Sequence, residues 1–189
     1  MRDLPHIIAL VGNAGAGKST VAEYLTKVHG YQVVKFAGPL KNMLRAIGLG
    51  DDELEGHLKE VPSGLLCGHT PRHAMVTLGT EWARDHIGVS FWIGLWEDAV
   101  CRVLDAGGRV VVDDCRFQNE LEMVYALGGI SWHITRPDHA GSSIPTHRSE
   151  GALSAYYDSM RKLVNDSDIT ALHLKVFDAL RAELNAEAV

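Results

Sequence analysis

The sequence predicts an α/β fold: three layers, α/β/α, with a parallel sheet of about five strands and a helical insertion. Three observations carry this expectation. Short apolar, β-branched runs recur along the chain, patterns of helical period lie between them, and one long stretch shows helical period alone. Strands that alternate with helices imply right-handed crossovers and a sheet covered on both faces. At 189 residues the chain has the length of one domain, with a core over about 1–38 and 106–189 and the insertion over about 39–105.

The elements follow in order. His6-Ile7-Ile8-Ala9-Leu10-Val11 is an apolar run ending at a glycine, as a buried parallel strand does. Residues 19–29 form a helix with Val21, Ala22, Leu25 and Val28 on one face, stopped by Gly30. Residues 32–36 read as the second strand, 109–113 as the third, 131–135 as the fourth and 162–164 as a short fifth. A helix over 117–127 is closed by Gly128-Gly129, and the last helix, over about 169–184, places Leu172, Val176, Ala179, Leu180 and Leu184 on one stripe.

The insertion carries helical patterns over 40–47, 71–86 and 91–105 and no convincing strand. Within it, residues 48–68 are rich in glycine and charge and predict a loop or weak helix. Trp92 and Trp96, four apart, are expected to pack inside.

Composition narrows the function classes. Hydrophobic residues make up 46% and charged residues 22%, ordinary for a soluble globular chain. No secretory signal or membrane-length apolar run is evident, so a cytoplasmic protein is expected, in the host cytoplasm if viral. A formal net charge of -6 argues against stable binding to a nucleic-acid backbone, though not against a small anion held by a few local groups. Three cysteines without tight spacing imply no disulfide framework. Cys67, His69 and His73 lack a fourth zinc ligand nearby.

Gly12-Asn13-Ala14-Gly15-Ala16-Gly17-Lys18-Ser19 matches the G-x-x-x-x-G-K-[ST] loop between a strand and a helix, and Thr20 follows it. Its glycines let successive N–H groups turn into one concavity, and the helix adds the positive end of its dipole. Lys18 is placed to reach the β- and γ-phosphates of ATP, and the Ser19 hydroxyl to ligate Mg²⁺. No guanine-reading Asn-Lys-x-Asp is present, which favours a small-molecule kinase over a GTPase switch.

The third strand ends in Asp113-Asp114, at the edge where a doubly wound sheet binds ligands. One carboxylate there can join the Mg²⁺ shell, and Asp114 is slightly preferred. Arg116, Arg136 and Arg84 are candidates to stabilise the charge that phosphoryl transfer builds. Arg136 opens a loop over 137–145 suited to closing on a nucleotide, and Arg148 lies just beyond it.

Several segments together resemble the bacteriophage-type deoxynucleoside monophosphate kinases, within a P-loop kinase-like fold. They are the loop over 12–20, Phe36-Ala37-Gly38-Pro39-Leu40-Lys41, Leu78-Gly79-Thr80-Glu81-Trp82-Ala83-Arg84 and Asp114-Cys115-Arg116-Phe117-Gln118-Asn119-Glu120. His147-Arg148-Ser149-Glu150 and Asn165-Asp166 continue the order.

The resemblance implies ATP and Mg²⁺, a deoxynucleoside monophosphate acceptor and a diphosphate product. It also implies that the insertion holds the acceptor, with Lys41, Arg45 and Arg84 on its phosphate, Glu81 and Trp82 at base or sugar, and Phe36 and Glu150 also in the substrate site. The chain departs from the family pattern at Gly38, where Asp is common, and at Val76, where Gln is. Two further readings keep the fold: a kinase for a modified base in DNA or a small metabolite, and a nucleotide-binding module with weakened catalysis. A homodimer is compatible with the apolar and aromatic content of the insertion.

Overall fold

The apolar run that opens the sequence forms the middle of the sheet, and the order of strands around it decides where a ligand can sit. In the computed structural model, which describes residues 4–137 and 153–186, the elements in chain order begin with β1 (Ile7–Val11), α1 (Lys18–His29) and β2 (Tyr31–Val33). There follow α2 (Gly38–Ala46), α3 (Asp51–Leu54), α4 (Pro71–Val76) and α5 (Phe91–Asp105). The chain then returns to the sheet with β3 (Arg109–Val112), α6 (Gln118–Ala126), β4 (Ile130–Thr135), β5 (Arg161–Val164) and α7 (Ile169–Ala186).

The five strands pair in parallel in the order β2-β3-β1-β4-β5. Strand β1 runs between β3, with Ile8 opposite Val111, and β4, with Leu10 opposite Trp132. Successive crossovers therefore leave β1 toward opposite sides, and the crevice this creates lies at the C-terminal end of β1.

Two compact units result, one of residues up to Lys35 and from Ala99 onward, the other Phe36–Asp98. In the first, Ile8, Leu10, Trp132 and Ile134 on one sheet face pack with Val21 and Leu25 of α1 and Leu172, Val176 and Leu180 of α7. Full burial of each such aliphatic side chain is worth about 1.5–3 kcal/mol. Gly30, at φ 72°, ends α1 by donating its N–H to the carbonyls of Leu25 and Thr26. In the second unit, Leu40, Leu44, Leu49, Leu54, Ala83 and Trp92 form a separate core.

Some expected boundaries move. Val28, placed on the buried face of α1 by periodicity, is exposed. Strand β2 starts at Tyr31 and ends at Val33 rather than spanning 32–36, although the Val34 N–H still reaches the Val111 carbonyl at 3.1 Å. Residues 48–68 hold the single turn of α3 and two short 3₁₀ turns, His57–Glu60 and Gly64–Leu66.

The helix expected over 71–86 is α4 continued by a π-helical stretch, Thr77–Ile87. There the Gly79 carbonyl accepts from Trp92 Nε1 at 2.9 Å, a tertiary bond that periodicity does not register. Trp92 and Trp96 are buried as expected. No helix among the described residues is long and apolar enough to cross a membrane.

Candidate active site

The loop leaving β1 takes the shape its glycines permit. Gly12 has φ 144°, and a Cβ there would lie 2.2 Å from the Ile134 carbonyl oxygen. Gly17 has φ 108°, and a Cβ there would meet Asn165 Nδ2 at 2.7 Å. These are positions only glycine fills without strain. From the loop that follows β5, Asn165 Nδ2 donates to the Ala16 carbonyl at 3.1 Å and so props the turn from beside it.

No side chain caps the start of α1, so its first-turn N–H groups and dipole face the loop without a built-in acceptor. Lys18 Nζ donates to the carbonyls of Gly12 (2.7 Å) and Asn13 (2.8 Å), folded onto the rim of the loop.

The acidic end of β3 meets this loop, and its two carboxylates take different places. Asp113, rather than the favoured Asp114, accepts from Ser19 Oγ at 3.3 Å. Strand β3 stops at Val112, and the next carboxylate turns under the start of α1. Asp113 is only 8% exposed, its Oδ1 has no hydrogen-bond partner among the described residues, and Lys35 Nζ lies 3.4 Å from that oxygen as an ion pair without hydrogen-bond geometry.

Asp114 and Arg116 instead line a cavity with Gly12, Asn13, Ala14 and Lys18, closed on another side by Leu153 and Tyr157. Its volume is about 40 Å³. Between them, Cys115 is buried, and burial with the nearby Glu120 and Asp114 charges pushes its thiol well above the usual range, so it stays neutral. Glu120 accepts from the N–H groups of Arg116 (2.8 Å) and Phe117 (3.1 Å), which fixes the turn carrying Arg116.

A hydroxyl beside a buried carboxylate with an unsatisfied oxygen suits a hard cation such as Mg²⁺, its remaining ligands being water and phosphate oxygens. No group of three or more His, Cys, Asp or Glu side chains among the described residues is placed to hold a metal unaided. The imidazoles of His69 and His73 stack at 4.6 Å.

Other expected site residues are distributed differently. Arg136 is exposed just past β4 and is not among the residues lining the cavity. Phe36 is 3% exposed and stacked on Trp96 at 4.3 Å, so its ring serves packing in the second unit. Lys41 Nζ pairs with Glu55 at 2.7 Å, and Arg45 pairs with Asp51 at 2.8 Å. Glu81 and Arg84 lie on the π-helical stretch with Trp82, which is 38% exposed and meets Phe91 edge-on at 5.6 Å. Glu150, Arg148 and the loop beyond Pro137 lie outside the described residues.

Sequence reasoning missed Tyr157 and Lys35. Tyr157 belongs to a 3₁₀ turn, Ser154–Ser159, that carries no motif, and stacks on His133 at 3.8 Å. Lys35 lies two residues past β2, and only the pairing of β2 with β3 brings it to Asp113.

Known proteins share this fold. A Thermus thermophilus protein, TT1252, superposes with a TM-score of 0.52 at 19% identity, covering 96% of this chain and 99% of that one. Shikimate kinase from Aquifex aeolicus gives 0.52 at 13% identity, covering 94% and 97%. The five-stranded sheet with flanking helices is thus the fold of P-loop kinases.

By sequence, the provisionally named deoxynucleotide monophosphate kinase of Acanthamoeba polyphaga mimivirus is 30% identical over 188 residues, covering 92% of this chain and 95% of the relative. Residues 68–176 match the deoxynucleotide monophosphate kinase family. With that match over more than half its length, and a relative alike nearly end to end, this chain belongs to the deoxynucleotide monophosphate kinase family.

Proposed function

We propose that this nucleotide kinase transfers the γ-phosphoryl group of ATP to a deoxynucleoside monophosphate, giving ADP and the diphosphate. The observation that carries the reading is the meeting, in one unit, of the Gly12 to Ser19 loop with a buried carboxylate on Ser19. Family membership supports the acceptor.

The loop amides and the dipole of α1 bind the phosphate chain, and Lys18 leaves the Gly12 and Asn13 carbonyls for the β- and γ-oxygens. Ser19 and Asp113 would hold Mg²⁺, which would supply charge neutralisation at the phosphates. In the transfer, the bond from the γ-phosphorus to the β,γ-bridging oxygen breaks and a bond to an acceptor phosphate oxygen forms. A phosphate monoester is already ionised at neutral pH, with a second pKa of about 6, so no strong base is needed. The chain therefore contributes position and charge. Arg116, beside Lys18 in the cavity, is the guanidinium best placed to spread over the equatorial oxygens.

For the acceptor we assign residues of the second unit: Lys41, Arg45 and Arg84 to its phosphate, Glu81 and Trp82 to base or sugar. Lys41 and Arg45 already pair with Glu55 and Asp51, so the acceptor phosphate takes over ammonium and guanidinium groups held in place beforehand.

ADP release measured across the deoxynucleoside and ribonucleoside monophosphates tests the proposal. Turnover with at least one deoxynucleoside monophosphate is expected. ATP binding without turnover on any of them overturns it.

A further inference from the structure

Asp113 takes a hydrogen bond from one side chain and an ion pair from another, and the two differ in kind. Ser19 Oγ makes a hydrogen bond to Oδ2 at 3.3 Å, part of the loop architecture. Lys35 Nζ stands 3.4 Å from Oδ1 and is the nearby positive charge, while Oδ1 still has no hydrogen-bond partner among the described residues. A buried carboxylate persists in its charged form only with a compensating cation. The Lys35 side chain is about 33% exposed, so its ammonium reaches the buried oxygen from the solvent side on a flexible stem. It is a point charge near the carboxylate, held there as an ion pair.

We propose that Lys35 is the exchangeable counter-ion of Asp113, occupying the side of Oδ1 that a divalent cation takes over when it arrives with the nucleotide. The inference rests on the reading of Asp113 as the carboxylate of the cation shell. A bare divalent cation must displace the ammonium and leave it without an anion. A cation–nucleotide complex brings phosphate oxygens that receive the displaced ammonium. The cation and the nucleotide therefore bind with positive coupling, and Lys35 sets its size. Lys35 acts through Asp113, as a positioning residue.

Titration of the nucleotide-free full chain with Mn²⁺, followed by electron paramagnetic resonance, reads this directly. Lys35→Met and Lys35→Gln are expected to bind Mn²⁺ about tenfold more tightly than the wild type, and Lys35→Arg to match it. With ATP present, the neutral variants should differ from the wild type by less than about threefold, so the coupling shrinks. Adding Asp113→Asn to Lys35→Met should return Mn²⁺ binding to the weak level.

Equal Mn²⁺ affinity in the wild type and both neutral variants overturns the inference alone, provided Asp113→Asn still weakens Mn²⁺ binding in the presence of ATP. If Asp113→Asn has no effect there either, Asp113 is not in the cation shell and both readings fall.

Discussion

Ser19 Oγ and Asp113 Oδ2, 94 residues apart in sequence, meet at 3.3 Å and join the first turn of α1 to the end of β3. This contact separates two adjacent carboxylates that look alike in the sequence. Asp113→Asn keeps an oxygen able to accept from Ser19 but removes the charge. Turnover is expected to fall about 10²–10³-fold, with the Mg²⁺ concentration for half-activity raised about tenfold or more. Asp114→Asn leaves the Ser19 contact intact, so kcat should fall with little change in Mg²⁺ dependence. Steady-state rates over a Mg²⁺ series distinguish the two.

Lys18→Ala removes the ammonium that the loop stores on the Gly12 and Asn13 carbonyls. The Asn13 acceptor is exposed and the Gly12 acceptor half-buried, so stability should fall by about 1–2 kcal/mol. Turnover should drop about 10³-fold, because the ammonium aimed at the β- and γ-oxygens is lost. A thermal melt beside an ADP-release assay shows whether the loss is chemical.

How much of this was legible beforehand depended on whether a feature was local. The loop over 12–19 declares itself because backbone sterics and phosphate geometry demand those residue types in sequence. The strands β1 and β3 were legible because burial leaves β1 wholly apolar and β3 a run of three valines, and β4 because apolar residues recur along it at Ile130, Trp132 and Ile134. The choice between Asp113 and Asp114 was not, since it depends on how the chain turns after Val112. Lys35 was invisible for a similar reason: it reaches Asp113 only because β2 pairs with β3. The packing of Phe36 was not legible either, because nothing in its motif segment marks the stack on Trp96.

The two tight glycines should respond unequally to alanine. At Gly12 the added Cβ meets the backbone oxygen of Ile134 at 2.2 Å, and β4 cannot move without disturbing its pairing with β1. Gly12→Ala should cost about 3 kcal/mol or more, lowering Tm by about 6–12 °C. At Gly17 the neighbour is the Asn165 side-chain amide, which can swing aside at the expense of its bond to Ala16. Gly17→Ala should cost about half as much, though ATP affinity should fall in both. Calorimetric melts and ATP titrations check the order.

Gly38 opens α2, and a Cβ there meets nothing within 4 Å. No acidic residue stands in the first turn of α2. Gly38→Asp should therefore stabilise by about 0.5–1 kcal/mol, through lower backbone entropy in the unfolded chain and a favourable helix-dipole interaction. A Tm rise of about 2 °C is expected. If this position also touches the acceptor, KM for the monophosphate shifts while KM for ATP does not.

His133 gives the protein a dependence on acid that the catalytic groups do not explain. Its ring lies on β4, 8% exposed, stacked on Tyr157, with Nδ1 buried and no hydrogen-bond partner among the described residues. Burial holds its pKa below 6.5, the Lys162 ammonium adds to that, and Asp158 opposes it weakly. Because the folded pKa is the lower one, the unfolded chain takes up the proton first as pH falls through about 6.5. Stability is thus greatest above that pH and declines below it, levelling off once the folded imidazole is also protonated. His29, likewise lowered by burial and by Arg109, contributes in the same direction. His133→Phe keeps a ring against Tyr157 and forfeits no hydrogen bond at Nδ1. Its melting temperature should match the wild type near pH 8 and exceed it near pH 5.5, narrowing the pH dependence without abolishing it because His29 remains. An identical pH–Tm profile for the two proteins would place the acid sensitivity elsewhere.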